Sequence, residues 1–198
     1  MSLARYFDRV WEQGEDPFGY RTRWYEARKR ELLLAMLPQP AFARGWEVGC
    51  ANGELTRRLA ARCGALLGTD LNPRAIAVAR RRCAGLARVE LRCMEHPREW
   101  PDGRFDLVVV GEMGYYLDDG ALQAFAHRIE ASLAPDAVLV ACHWRHGFEG
   151  RHSATVDVHG RLAAIPGLAC IGHYRDSDFI LDCWSGNAAS LAQREGLR

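Results

Sequence analysis

The chain has 198 residues, 48% of them hydrophobic and 26% charged, the makeup of an ordinary globular protein, which excludes disordered, collagen-like and coiled-coil classes and favours one domain over 1–198. Twenty-six Lys and Arg against 25 Asp and Glu leave a net charge of +1, so overall charge gives no case for nucleic acid, an acidic membrane or another polyanion. Seven cysteines, an odd number without a C-x-x-C pair, fit neither a disulfide framework nor a zinc ribbon and suit the reducing cytoplasm. Charges break up residues 1–16, leaving no segment of signal-peptide type, and no apolar run approaches the ~20 residues of a membrane span.

Residues 24–37 read as a helix stopped by Pro38, and 1–38 as an N-terminal helical cap. A β-type segment at 45–50 runs through a glycine-containing turn into a helix with Leu55, Leu59 and Cys63 on one face. Residues 65–70 are the next apolar run, followed by Asn72-Pro73, an N-cap with proline at the first helical position, and a helix lined by Ile76, Ala79 and Cys83. Residues 88–93 alternate like a strand, and 105–110 form a Val-rich run suited to burial on both faces of a parallel sheet. Asp118 and Asp119 open a helix in which Leu122, Phe125, Ile129 and Leu133 recur at helical spacing. A strand at 137–143 and a helix at 153–165 lead to two strands, 168–174 and 178–184, joined too tightly for a crossover helix and hence an antiparallel hairpin. The expected architecture is an α/β sandwich of three layers around a mostly parallel seven-stranded sheet, with a ligand-binding core at 45–145 and a closing helix and hairpin at 150–184.

In such a sheet, ligands sit outside the C-terminal strand ends. The first strand ends in Glu47-Val48-Gly49-Cys50-Ala51-Asn52-Gly53-Glu54, where Gly49 and Gly53 allow a tight turn and a close backbone approach. The second ends in Asp70, 17 residues after Gly53, where a carboxylate can accept hydrogen bonds from both hydroxyls of a ribose. A dinucleotide fingerprint requires glycine where Glu47 stands, and a carboxylate beside a pyrophosphate is repelled; no G-K-[ST] follows Gly53 either. An acid on a glycine loop suits a ligand carrying ammonium or sulfonium charge, and this points to S-adenosylmethionine (SAM), with S-adenosylhomocysteine (SAH) as product, over a nicotinamide dinucleotide.

The segment Glu47 to Gly53 resembles the E/D-x-G-x-x-x-G motif of the class I (Rossmann-like) SAM-dependent methyltransferases. The resemblance implies that Asp70 binds the ribose, that Glu95 receives the adenine amino group, and that Phe105-Asp106-Leu107-Val108-Val109 is the fourth strand. Leu133-Ala134-Pro135-Asp136-Ala137 resembles the family's L-x-P-G-G turn, with Asp136 and Ala137 in place of both glycines. Asp16-Pro17-Phe18, Trp24-Tyr25-Glu26, Gly111-Glu112-Met113-Gly114-Tyr115-Tyr116-Leu117 and Asp178-Phe179-Ile180-Leu181-Asp182 resemble, more narrowly, the NodS-like methyltransferases. The namesake of that group methylates the free amine of a deacetylated chitooligosaccharide, so the resemblance implies a small acceptor with an amino group, an aminosugar or oligosaccharide.

The candidate cofactor residues are therefore Glu47, Gly49, Cys50, Gly53, Asp70, Leu71, Met94, Glu95 and Gly111, with Tyr25 and Lys29, four residues apart on one helix face, placed to meet the cofactor's carboxylate. Glu112 at the fourth strand tip, Tyr115 beside it and His143 at the fifth tip are the candidate catalytic residues. For each there is a plainer reading: an N-cap role for Asp70, solvation for Glu95, core packing for Leu71 and Met94, an ion pair for Glu112, packing for the tyrosines and a satisfied structural histidine at 143. G-E-M-G-Y-Y differs from the [ND]-P-P-[YF] motif of enzymes that methylate nucleobase amino groups, which argues against a nucleic-acid acceptor. Alternatives are O-methylation of a small hydroxylated or carboxylated metabolite, with Arg145 clamping an acid, and a SAM-binding protein without turnover. A metal held by His143, His146 and His159 is disfavoured for want of a carboxylate at suitable spacing. The expected state is a monomer or weak homodimer, apart from membranes.

Overall fold

The computed structural model describes residues 2–198, so Met1 of the expected N-terminal cap lies outside the described residues. Seven strands, β1 (Phe42–Val48), β2 (Cys63–Asp70), β3 (Val89–Cys93), β4 (Phe105–Gly111), β5 (Leu133–Trp144), β6 (Ala169–Arg175) and β7 (Phe179–Ser185), form one sheet in the order β3-β2-β1-β4-β5-β7-β6. The pairs among β1 to β5 are parallel, and β7 runs antiparallel between β5 and β6, so the expected hairpin is present. Strand order reverses between β1 and β4, which opens a crevice beyond their C-terminal ends.

The helices are α1 (Leu3–Trp11), α2 (Trp24–Met36), α3 (Glu54–Leu59), α4 (Pro73–Arg82), α5 (Asp119–Ser132), α6 (Thr155–Ala163) and the short α7 (Leu191–Arg194). Strand alternation divides the core into two layers. Trp46, Val48, Phe105 and Leu139 meet Leu122, Phe125 and Ile129 of α5 and Val158 and Leu162 of α6 on one face. Leu107, Val109, Val140 and Leu181 meet Leu33 of α2 and Leu59 of α3 on the other. Each large side chain buried in this way contributes about 1.5–3 kcal/mol.

Asn72 caps α4 through its side chain, which accepts from the amides of Arg74 and Ala75, and Asp118 caps α5 by accepting from Ala121. Cys63 differs from the expectation: α3 ends at Leu59, a 3-10 turn follows, and Cys63 opens β2 with its side chain in the α2–α3 layer. Leu133, expected on a helix, opens β5, which begins four residues before the predicted strand. The Leu133-to-Ala137 turn keeps a left-handed residue without glycine, since Asp136 itself adopts φ +59°. The first helix, α1, carries Leu3, Tyr6, Phe7, Val10 and Trp11 at helical spacing, a signal hidden among charges.

Candidate active site

A cavity of about 710 Å³ lies beyond the tips of β1, β2 and β4 and beneath α1. Gly49, φ +80°, makes the floor possible, because a Cβ there would stand 2.6 Å from the Gly111 carbonyl oxygen. The Gly49 and Cys50 amides both donate to the Thr69 carbonyl at 2.9 Å. Asp70 then ties the loops together: its carboxylate accepts from the Ala51 amide at 3.0 Å and the Asn72 amide at 2.9 Å. Burial raises the Asp70 carboxyl above its ordinary range, against the pull of these two amides. Leu71, Met94 and Glu95 continue this wall, with Glu95 half exposed and 3.4 Å from Arg98.

Glu47, Cys50 and Gly53 stand behind this wall. Glu47 and Cys50 border a void of about 70 Å³ under the glycine loop, beside Lys29 and Glu26. The Thr56 hydroxyl donates to Glu47 at 2.6 Å, yet burial pushes the Glu47 carboxyl up to about 8. Gly53, φ +82°, starts α3 where a Cβ would press on Ala79 of α4 at 3.1 Å; its place is structural.

The opposite wall is built from side chains. Glu112 sits at φ +53°, a left-handed backbone that costs a non-glycine residue about 1–2 kcal/mol. Its Oε1 lies 2.5 Å from Lys29 Nζ, and its Oε2 accepts from the Tyr115 hydroxyl at 2.5 Å and the Trp144 amide at 2.9 Å. Lys29 is also 3.1 Å from both oxygens of Glu26. Burial opposes the ammonium, but Glu112 and Glu26 outweigh it and hold Lys29 well above its ordinary range. Burial, reinforced by Glu112, likewise raises the Tyr115 phenol far up, so it acts as a hydroxyl. Tyr25 packs edge-on against Trp144 with ring centroids 5.5 Å apart, and its buried hydroxyl has no partner among the described residues.

His143 departs from the expectation. Strand alternation turns it into the α6 layer, where it is fully buried and absent from the cavity wall. Its Nε2 accepts from the Gly114 amide and its Nδ1 bonds His159, so it cannot reach an acceptor as a base. Of the sequence His143 to His146 only Trp144 faces the cavity. Arg145 lies off the cavity wall, bonded to the Asp176 carbonyl, so it is not placed to clamp an acid there, and His146 is bonded to Asp178, apart from the other two histidines.

A family model described as a methyltransferase domain matches residues 46–136. A crystal structure of a Pseudomonas syringae protein assigned as a methyltransferase is 39% identical, covering 82% of this chain and 99% of that one, with a TM-score of 0.72. The N-methyltransferase NodS from Bradyrhizobium japonicum WM9, solved with SAH, is 25% identical over 94% of this chain and 98% of its own, with a TM-score of 0.83. Nodulation protein S of Sinorhizobium fredii is 29% identical over 84% of this chain and 82% of its own length. The chain belongs to the class I SAM-dependent methyltransferases, of the NodS-like kind.

Its residues suit SAM. The glycine floor admits a ligand against backbone, and the Asp70 carboxylate faces the cavity between Leu71 and Met94. The Tyr25 hydroxyl, buried and unpaired among the described residues, lies on the cavity wall beside the Lys29 ammonium, where the two can face a carboxylate. The N-terminal cap was expected, but its first helix and the side chains that close the cavity were not: these are Tyr6, Phe7 and Trp11 of α1, with Phe7 and Tyr116 ring centroids 5.0 Å apart. Sequence reasoning also missed Glu26, quoted in the NodS-like stretch but given no role.

Proposed function

We propose that this methyltransferase transfers the SAM methyl group to the nitrogen of a primary amine on a small polar acceptor, an aminosugar or short oligosaccharide, in the cytoplasm. The observation that carries this reading is the charge and shape of the acceptor-side wall. Glu26 and Glu112 face one ammonium, Lys29, leaving an excess of negative charge, and the rings of Tyr6, Phe7, Tyr115, Tyr116, Trp144 and Phe148 surround it. Carboxylates with aromatic faces attract a cationic amine, and aromatic faces also suit the apolar face of a sugar. The NodS structure is that of an N-methyltransferase, which agrees with nitrogen as the nucleophile.

In this reading Gly49, Gly111, Asp70, Leu71, Met94 and Glu95 hold the cofactor, and Tyr25 and Lys29 receive its carboxylate. The cofactor supplies a methyl group already activated as a sulfonium. The protein has mainly to align nitrogen, methyl carbon and sulfur, a contribution of up to ~7–11 kcal/mol. The Tyr115 hydroxyl donates its hydrogen bond to Glu112, so its oxygen lone pairs are free to accept an N–H of the neutral amine and aim the nitrogen lone pair at the carbon. A nitrogen–carbon bond forms, the carbon–sulfur pair returns to sulfur, and the surplus ammonium proton leaves through Glu112 or water.

The test is calorimetric titration of SAM and SAH into the protein and into Asp70→Ala, followed by transfer of labelled methyl to glucosamine oligomers with mass fragmentation of the product. The expected result is binding of both ligands, lost in Asp70→Ala, and an N-methylated amine formed faster as pH rises and the acceptor deprotonates. Methylation confined to hydroxyl or carboxyl acceptors would overturn the amine reading and leave the family assignment intact.

A further inference from the structure

His143, His159 and Asp182 take no part in the chemistry above, yet they form a continuous line of hydrogen bonds that ends directly beneath it. The Gly114 amide lies 3.2 Å from His143 Nε2, His143 Nδ1 lies 3.1 Å from His159 Nε2, and His159 Nδ1 lies 2.6 Å from Asp182 Oδ2. The other Asp182 oxygen bonds His173 Nδ1 at the exposed edge of β6. The two ends have fixed polarity, since an amide N–H only donates and a carboxylate only accepts. A neutral imidazole has one donor and one acceptor nitrogen, so both rings must carry their proton on Nδ1 and leave Nε2 bare. Burial pulls the His143 imidazole well below its ordinary range, and His159, Lys29 and Arg151 push the same way, which keeps it neutral.

Gly114 is the sensitive end. It opens the 3-10 turn Gly114–Tyr116, and a Cβ there would stand 2.5 Å from Val158 of α6 and 3.2 Å from His143 Nε2, so α6 and β5 bear directly on its backbone. The next residue, Tyr115, lies edge-on to His143, with ring centroids 5.2 Å apart, and its hydroxyl rests on Glu112. We propose that His143, backed by His159 and Asp182, is a positioning residue for methyl transfer: a one-way hydrogen-bond chain that fixes the Gly114 amide and, through it, the Tyr115–Glu112 pair. The proposal rests on the acceptor-facing reading of Tyr115 and Glu112, whereas the polarity of the chain can be measured without any acceptor.

Nitrogen shifts of histidine-labelled protein report the tautomers. Both His143 and His159 should be protonated on Nδ1 and bare on Nε2, the form less favoured in a free histidine side chain; a proton on His143 Nε2 overturns the proposal. In Asp182→Ala the rings are released, so the Gly114 amide should exchange faster and kcat should fall about tenfold while KM for SAM moves less than about twofold. Adding His143→Gln, whose side-chain oxygen can accept from Gly114 whatever His159 does, should restore most of the rate. If Asp182→Ala is only a hole beneath β7, the second change deepens the loss, and that result overturns the proposal. Should Asp182→Ala fail to fold, the tautomers of the unaltered protein decide. Expected tautomers and exchange with no amine methylated would bear against the proposed acceptor and not against the chain.

Discussion

The two walls of the cavity are made of different material. On the β1–β2 side the backbone does the work: Gly49 lets two strand tips approach, and Ala51 and Asn72 offer their amides to Asp70. On the β4 side Glu112 is held by a lysine from α2, a tyrosine from the following turn and an amide from β5. A backbone-built wall depends on a few residues close in sequence, whereas a side-chain wall depends on elements 83 residues apart, as Lys29 and Glu112 are. The first can be shared by relatives with different acceptors; the second is where acceptor choice can change.

Breaking the backbone wall should have the largest effect. Gly49→Ala combines a positive φ with a Cβ 2.6 Å from a backbone oxygen, whereas Gly85→Ala has a similar φ, +86°, and nothing within 4 Å. Gly85→Ala should cost about 1–2 kcal/mol in urea unfolding, the left-handed penalty alone. Gly49→Ala should cost more than that and abolish measurable SAM binding by calorimetry. Equal losses in the two variants would show that the close approach of β1 and β4 is unimportant.

Breaking the side-chain wall should separate rate from cofactor affinity. Glu112→Gln keeps the shape but weakens charged hydrogen bonds to Lys29 and Tyr115, each worth about 1.5–3 kcal/mol, so kcat should fall roughly thirtyfold with SAM affinity within about threefold. A matching loss of SAM affinity would mean that the two walls are one energetic unit joined through Lys29.

The contrast also explains what could be read from the chain. Gly49, Asp70, Leu71 and Met94 were legible as cavity-wall positions because a turn glycine and a strand-end carboxylate carry their meaning locally, whereas Glu47, Cys50 and Gly53 of the same loop lie behind that wall. The seven strands and the hairpin were legible from apolar runs and turn chemistry, although Cys63 and Leu133 were assigned to helices because apolar residues at a helix end continue its period into the next strand. Glu112 and Lys29 were each found, in different roles, but not as a pair, since nothing in sequence spacing joins α2 to the end of β4. His143 was misread because the strand tip, not the face, was considered; the odd-even alternation along β5 sends Cys142 into the α2–α3 layer and His143 towards α6.

Glu47 tests whether the void behind the glycine loop belongs to the cofactor wall. Its folded-state value near 8 stands above the ordinary 4.5, so the stability it contributes is complete below about 4.5 and is lost as pH rises through 8. Across that window Glu47→Gln should remove a slope of up to about 1.4 kcal/mol per pH unit from the stability curve. If an ammonium group of SAM settles against Glu47, it will favour the carboxylate, and binding at neutral pH will release a proton. Titrations in buffers of different ionisation enthalpy measure that release, and its absence would leave Glu47 as a purely structural acid.

The smallest expected effect is the most discriminating. Among the described residues the buried Tyr25 hydroxyl has no partner, an arrangement that costs a folded protein about 1–3 kcal/mol. Tyr25→Phe removes the oxygen and keeps the edge-on contact with Trp144, so the protein without ligand should become more stable by up to about that amount. If the hydroxyl waits for the cofactor's carboxylate, the same change should weaken SAM binding by roughly three- to tenfold, the worth of one hydrogen bond. Stability and affinity thus move in opposite directions at one atom, which general damage to α2 cannot imitate because it would lower both. A gain in stability with unchanged SAM affinity would place the carboxylate on Lys29 alone, and would assign Tyr25 to the acceptor wall beside Trp144.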